Sequence, residues 1–175
     1  ARRMARLVKP GGHLLYSTCS LNPVEDEAVV AAILKENPEF ELVEAAMDAG
    51  APGMRYRPGV STWKVAEHTF KGKDDASRFD SDSDSESDDD VTLRWYDDYE
   101  LASAAGMPAT EPSMWPPSQE DAKSMHLERC ARLLPHDQDT GGFFIALLRK
   151  RATKGDTAGS QRTEPVSYTH LTLPT

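Results

Sequence analysis

Cys19 is the residue best placed for covalent chemistry. It closes the run Leu14-Leu15-Tyr16-Ser17-Thr18-Cys19 and precedes Asn22-Pro23-Val24-Glu25 by three residues. The apolar, β-rich run reads as a strand, and Asn22, Pro23 and Glu25 read as helix N-cap, first helical residue and capping-box acid. Cys19 then stands at the C-terminal edge of a strand just ahead of a helix, the place where open α/β sheets hold and process ligands. The free N–H groups and partial positive charge of a helix N-terminus favour a thiolate over a thiol. Glu25, Asp26 and Glu27 oppose it if they lie close, and at this level the balance is open. Cys130 falls on the stripe Met125, Leu127, Cys130, Leu133, Leu134 and has the pattern of a packed small hydrophobe. His13, His68, His126 and His170 have no ligand spacing to either cysteine, so no metal site is expected.

The elements that must position Cys19 follow from periodicity. Met4, Leu7 and Val8 have helical spacing, stopped by Pro10-Gly11-Gly12, and the strand His13 to Thr18 follows. A helix from Pro23 to about Lys35 carries Val29, Val30, Ile33 and Leu34 on one side and ends at Asn37-Pro38. Phe40 to Glu44 alternates like a half-buried strand. This order implies an α/β sheet. Ser61 to Val65 reads equally as a short strand or an aromatic-anchored loop, and Trp95, Tyr96, Tyr99 and Trp115 read as core or loop anchors. Gln119 to Leu134 reads as a helix and Pro135 to Gly142 as a polar turn. Phe143 to Leu148, apolar on both faces, is a strand expected inside a sheet.

Charge is unevenly spread. The net charge is -9, yet the stretch from Asp74 to Asp90 alone holds nine acids against one arginine. The remainder is nearly neutral, so overall acidity does not argue against a nucleic-acid partner for the folded part. Residues 74–90 are a Ser/Asp run that cannot offset chain entropy by burial; they are expected to be a disordered insert that suits an acidophilic kinase or a basic protein partner. Residues 152–175 read as a disordered tail, and 167–175 resemble translated library-adapter sequence. Two cysteines make no disulfide framework, which favours a reducing intracellular setting. No apolar run is long enough for a membrane span. The chain opens mid-pattern without a starting methionine and is expected to be a fragment.

Tyr16-Ser17-Thr18-Cys19-Ser20-Leu21-Asn22-Pro23, followed by Glu25-Asp26-Glu27-Ala28-Val29-Val30, resembles the Thr-Cys motif of the RsmB/Sun-type RNA cytosine-5 methyltransferases. Pro52-Gly53, Arg57-Pro58-Gly59-Val60, Trp63-Lys64-Val65, Pro112 to Pro117, Met125 to Cys130 and Leu134 to Phe144 resemble the eukaryotic tRNA branch of that family. The likeness covers residues 1–151 apart from the acidic insert. It implies the C-terminal part of a class I, Rossmann-like S-adenosylmethionine-dependent methyltransferase sheet with an antiparallel last strand. It also implies that Cys19 is the nucleophile toward carbon 6 of cytosine in tRNA, with Thr18, Asn22 and Glu25 shaping its loop.

The family's glycine-rich cofactor loop, ribose-binding acid and Pro-Cys cysteine match nothing in this sequence, so no cofactor-binding residue is named for S-adenosylmethionine. Cys130 is not cast as the second cysteine, since it follows Cys19 and reads as helical. Arg2 and Arg6, with Arg3 and Lys9, the group Arg149-Lys150-Arg151, and His136 and Thr140 in the turn are candidate RNA contacts. Alternatives are a ribosomal or messenger RNA substrate, or a non-catalytic interaction segment. A nuclear, nucleolar or cytoplasmic location is expected.

Overall fold

A computed structural model describes residues 6–44, 53–70 and 91–152, with backbone alone at 68–70 and 91. Strand β1 (His13–Thr18) leads through a loop to helix α1 (Glu27–Glu36), and β2 (Phe40–Val43) follows. The helix forms because Ala28, Val30, Ala31, Ile33 and Leu34 recur at helical spacing and are all buried. Its end is fixed by Asn37, whose backbone and side-chain N–H groups both donate to the Ile33 carbonyl, at 3.0 and 2.8 Å, and by Pro38, which cannot extend the ladder.

The long apolar strand near the C-terminus is the centre of the sheet. β7 (Phe143–Lys150) pairs antiparallel with β1 from His13↔Arg149 to Thr18↔Phe144. Along its other edge lie β2, paired at Phe40↔Lys150 to Val43↔Leu147, and β6 (Ala131–Leu133), paired at Ala131↔Ile145 to Leu133↔Phe143. A two-residue strand β3 (Arg57–Pro58) adds to β6. The last strand is therefore antiparallel to each of its neighbours, and β1 and β2 run parallel with α1 as their crossover, as the α/β reading expects. Phe144, Ala146 and Leu148 face α1 and are fully buried. A second layer joins β4 (Val65–Phe70) to β5 (Val91–Tyr96), followed by α2 (Tyr99–Ala104). Val65, Tyr96, Ala102 and Trp115 are buried together there. Trp63 anchors the loop before β4 by donating to the Met114 carbonyl at 2.7 Å.

Several expectations are corrected. The stretch before Gly11 is turn where it is described, not helix, because Gly11 (φ +77°) and Gly12 bond to Lys150 and bind this segment to the sheet. Residues 23–26 are turns, and α1 begins at Glu27 rather than Pro23. The Asn22 carbonyl accepts from Glu25 and Asp26, while the Pro23 carbonyl accepts from Ala28, a wider closure that interrupts the helical ladder. The expected helix over 119–134 stops at Met125 (α3, Gln119–Met125). His126 takes a left-handed conformation, a 3-10 turn covers Leu127–Arg129, and the chain then enters β6. Cys130 is thus in the approach to a strand. The 135–142 turn contains a short helix, α4 (Pro135–Gln138), closed by Asp139 at φ 55°. The acidic insert at 74–90, the tail beyond 152 and Arg2 lie outside the described residues.

Candidate active site

Cys19 follows the last residue of β1 and is exposed. The loop beyond it is held by its own polar side chains. The Ser20 N–H donates to Thr18 Oγ1, the Asn22 N–H to Ser20 Oγ and the Val24 N–H to Asn22 Oδ1, each at 3.1 Å. Such turns, in which a side-chain oxygen accepts from the backbone two residues on, suit Ser, Thr and Asn. Thr18 and Asn22 accordingly shape the loop. Glu25 does so only through its backbone carbonyl, which accepts from the Tyr16 hydroxyl at 2.6 Å. Tyr16 is raised above the ordinary tyrosine range by its burial and by Asp26 and Glu25.

Beneath the loop is a buried ionic cluster that spacing alone did not indicate. Arg132 on β6 donates Nε to Glu27 Oε1 at 2.7 Å and Nη2 to Glu27 Oε2. Its Nη1 donates to the Leu21 carbonyl at 3.0 Å, and its guanidinium carbon lies 5.6 Å from the centre of the Phe144 ring. Glu27 Oε1 accepts also from the Val60 N–H at 2.8 Å. Asp26 comes within 3.1 Å of Arg132 Nη2, but neither of its oxygens has a hydrogen-bonding partner. That contact is a charge contact without bond geometry. Asp26 and Glu27 are both fully buried. Of the three acids that could have opposed a Cys19 thiolate, Asp26 and Glu27 are turned toward Arg132, and Glu25 is exposed. Burial works to lower Arg132, and the Glu27 carboxylate overrides it and raises it. Burial, reinforced by Glu27, pushes the Cys130 thiol well up, so Cys130 is an inert packed residue.

The turn before β7 shares the Cys19 edge. A Cβ on Gly142 would sit 3.2 Å from the Leu21 side chain, so Leu21 packs on that glycine. Thr140 and His136 belong to this turn and are exposed. Arg57 reaches the same turn, donating Nε and Nη2 to Asp137 at 2.9 and 2.7 Å. This bond holds the Asp137 carboxyl below the usual range. Arg55 exchanges hydrogen bonds with the Gln138 side chain through its backbone. Arg55 and Arg57 are basic groups near the edge that sequence reading did not single out; only the Arg57-Pro58-Gly59-Val60 motif pointed to this segment. Arg6 precedes a turn tied to Lys150, at the opposite end of β1 and β7. Arg149 at that far end pairs with Glu41, and Arg151 with the Pro38 carbonyl. Among the described residues no group of three or more His, Cys, Asp or Glu could hold a metal ion, and no helix is long and apolar enough to cross a membrane.

Residues 2–65, spanning β1, the Cys19 loop and the buried pair of acids, match the family described as 16S rRNA methyltransferase RsmB/F. Over residues 2–65 the chain carries the pattern of the RsmB/F methyltransferases. It is 38% identical over 168 residues to the multisite-specific tRNA:(cytosine-C(5))-methyltransferase trm4b of Schizosaccharomyces pombe, covering 95% of this chain and 20% of that protein. It is 37% identical over 153 residues to the tRNA (cytosine(34)-C(5))-methyltransferase of Drosophila melanogaster, covering 86% of this chain and 17% of that one. A crystal structure of a methyltransferase homolog from Pyrococcus horikoshii is similar over 85% of this chain and 28% of its own, with a TM-score of 0.43 and 21% identity. The chain thus spans about a fifth of the length of these curated relatives.

The RsmB/F likeness implies S-adenosylmethionine as methyl donor, and the polar residues at the Cys19 edge do not compose a cradle for it. Thr18, Ser20 and Asn22 accept from their own loop. Glu27 is committed to Arg132, and Asp26 is buried behind it. Glu25, in the turn before α1, is the one exposed carboxylate among the described residues of this loop, and a lone carboxylate is not a cradle.

Proposed function

We propose that the chain contributes the nucleophile-bearing part of an S-adenosylmethionine-dependent enzyme that methylates carbon 5 of cytosine in tRNA. The observation that carries this reading is the exposed Cys19 thiol at the end of β1, on a loop ordered by its own side chains, inside the segment that matches the RsmB/F family. An exposed thiolate can form a bond to carbon 6 of cytosine, breaking the 5,6 double bond and placing the electron pair on carbon 5. Carbon 5 then becomes the nucleophile for an electrophilic methyl group, which S-adenosylmethionine would supply by cleavage of its sulfur–methyl bond, departing as the neutral thioether. Loss of the carbon-5 proton and cleavage of the carbon–sulfur bond restore the double bond and return the thiolate.

The open parts of the sheet fit the same reading. Among the described residues β1 pairs only with β7, and Leu15 and Phe143 are 63% and 45% exposed on the face away from α1. These are the places where further parts of a catalytic domain would dock. The insert at 74–90 is a candidate site for a kinase or basic partner, and the enzyme would work in the nucleus, the nucleolus or the cytoplasm.

Cys19→Ala in the complete enzyme is expected to abolish methyl transfer. A cytosine analogue that blocks release should trap RNA on the wild-type protein and leave the variant free on a denaturing gel. Methylation of tRNA by the variant at the wild-type rate would sink the assignment. A ribosomal RNA substrate is the second reading, favoured by the match of residues 2–65 to the 16S rRNA methyltransferase RsmB/F family. Parallel assays with tRNA and small-subunit rRNA transcripts separate the two.

A further inference from the structure

Leu21, two residues beyond the nucleophile, is gripped from two sides. Its side chain rests on Gly142, and its carbonyl takes the Nη1 donor of Arg132 at 3.0 Å. Arg132 is in turn immobilised, because its Nε and Nη2 form a two-pronged bond with Glu27 and its planar face lies over Phe144. Glu27 is locked by the Val60 N–H. Gly59 lets that segment approach, since a Cβ there would meet the Leu127 carbonyl at 2.3 Å and Cys130 at 2.9 Å. Segments far apart in sequence, at 21, 26–27, 59–60 and 132, therefore meet around the Glu27–Arg132 pair.

Burying such a group is a weak source of stability, since an ion pair removed from water loses about as much in hydration as it gains in attraction. What the arrangement does supply is direction. A planar fork with fixed donors can hold one carbonyl in one place, which a lysine ammonium cannot do while also satisfying both Glu27 oxygens.

We propose that Arg132 is the positioning residue of the Cys19 loop: held by Glu27, it anchors the Leu21 carbonyl and through it sets where the Cys19 thiol stands. This rests on Cys19 being the nucleophile of the proposed reaction, while the anchoring itself concerns this chain alone. Arg132 touches no reacting atom. Its loss should leave RNA affinity intact and misplace the thiol.

The test uses Arg132→Lys, which keeps the buried charge. In the 175-residue chain, hydrogen exchange at Leu21 and Asn22 should rise, and the rate at which iodoacetamide alkylates Cys19 should change by about threefold or more. Cys130 should stay protected in both proteins, which reports that the core is folded. In the complete enzyme, kcat and the rate of trapped-adduct formation should fall by about tenfold to a hundredfold, with KM for tRNA unchanged, because displacement of a reacting group by about 1 Å costs on this scale. A purely structural role would instead lower the melting temperature and leave kcat per folded molecule as in the wild type.

If Arg132→Lys exposes Cys130, Glu27→Gln replaces it. This isosteric change weakens the grip on the guanidinium, and the same rise in exchange at Leu21 is expected. Wild-type alkylation and exchange at the loop in the folded variant would overturn the proposal. A wild-type enzyme that forms no RNA adduct would defeat the proposed function, and the exchange and alkylation measurements would still decide the anchoring.

Discussion

Asp26 is fully buried at the start of α1, with neither oxygen hydrogen-bonded. Burial raises its pKa to about 7; Arg132 works against this, and Glu27 and Glu25 add to it. The folded protein therefore holds a proton that the unfolded chain, titrating near 3.8, has already lost. Between pH 4 and pH 7 the native state binds more protons than the unfolded state, so this group subtracts stability as pH rises through that window. Asp26→Asn should remove the dependence. We expect the variant to match the wild type near pH 4 and to exceed it by about 2 kcal/mol at pH 8, measured by urea unfolding at the two pH values. An equal stability difference at both values would show that Asp26 is not the titrating group. Cys19→Ala belongs to the same scale, since it tests one sulfur atom. The position of Cys19 at the end of a strand was legible from the run that precedes it. That of Arg132 was not, because an arginine flanked by Ala131 and Leu133 in an apolar stretch looks the same whether it faces water or a carboxylate.

Among the elements, the strands and helices with strong patterns were legible and the joins were not. β1, β2, β7 and the body of α1 follow from alternation, apolar runs and helical spacing, all local properties. β6 was hidden inside an apparent helix because Leu127, Cys130, Leu133 and Leu134 recur at helical spacing. Its strand state depends on pairing with β7 on one side and with the sequence-distant β3 on the other, neither of which the local spacing shows. β5 was hidden for a similar reason, since its partner β4 precedes the acidic stretch. Gly59 marks the closest approach between these elements. Gly59→Ala would drive its Cβ into the Leu127 carbonyl, a backbone atom that cannot swing away. The expected cost is about 2 kcal/mol of unfolding free energy, read as a lower urea midpoint with an unchanged slope. A midpoint equal to that of the wild type would mean that β3 is not held against the Leu127–Cys130 turn.

At the scale of the whole molecule, the described residues present the exposed Cys19 thiol without a cradle for a methyl donor beside it. Equilibrium dialysis of the 175-residue chain with labelled S-adenosylmethionine is expected to show no binding in the micromolar range. Micromolar binding would reveal a donor site that the polar groups of the Cys19 edge do not make. The sequence by itself was sufficient for the α/β class, the strand-end position of Cys19 and the RsmB/F resemblance, because each depends on short-range pattern or on a contiguous motif. Tertiary structure was needed to decide the start of α1, the strand identity of β6 and the buried ionic cluster beneath the Cys19 loop. Those depend on which buried groups find partners: Glu27, taken out of water, is met by the Val60 N–H and by Arg132, more than a hundred residues further along the chain, and the same guanidinium holds the Leu21 carbonyl of the Cys19 loop.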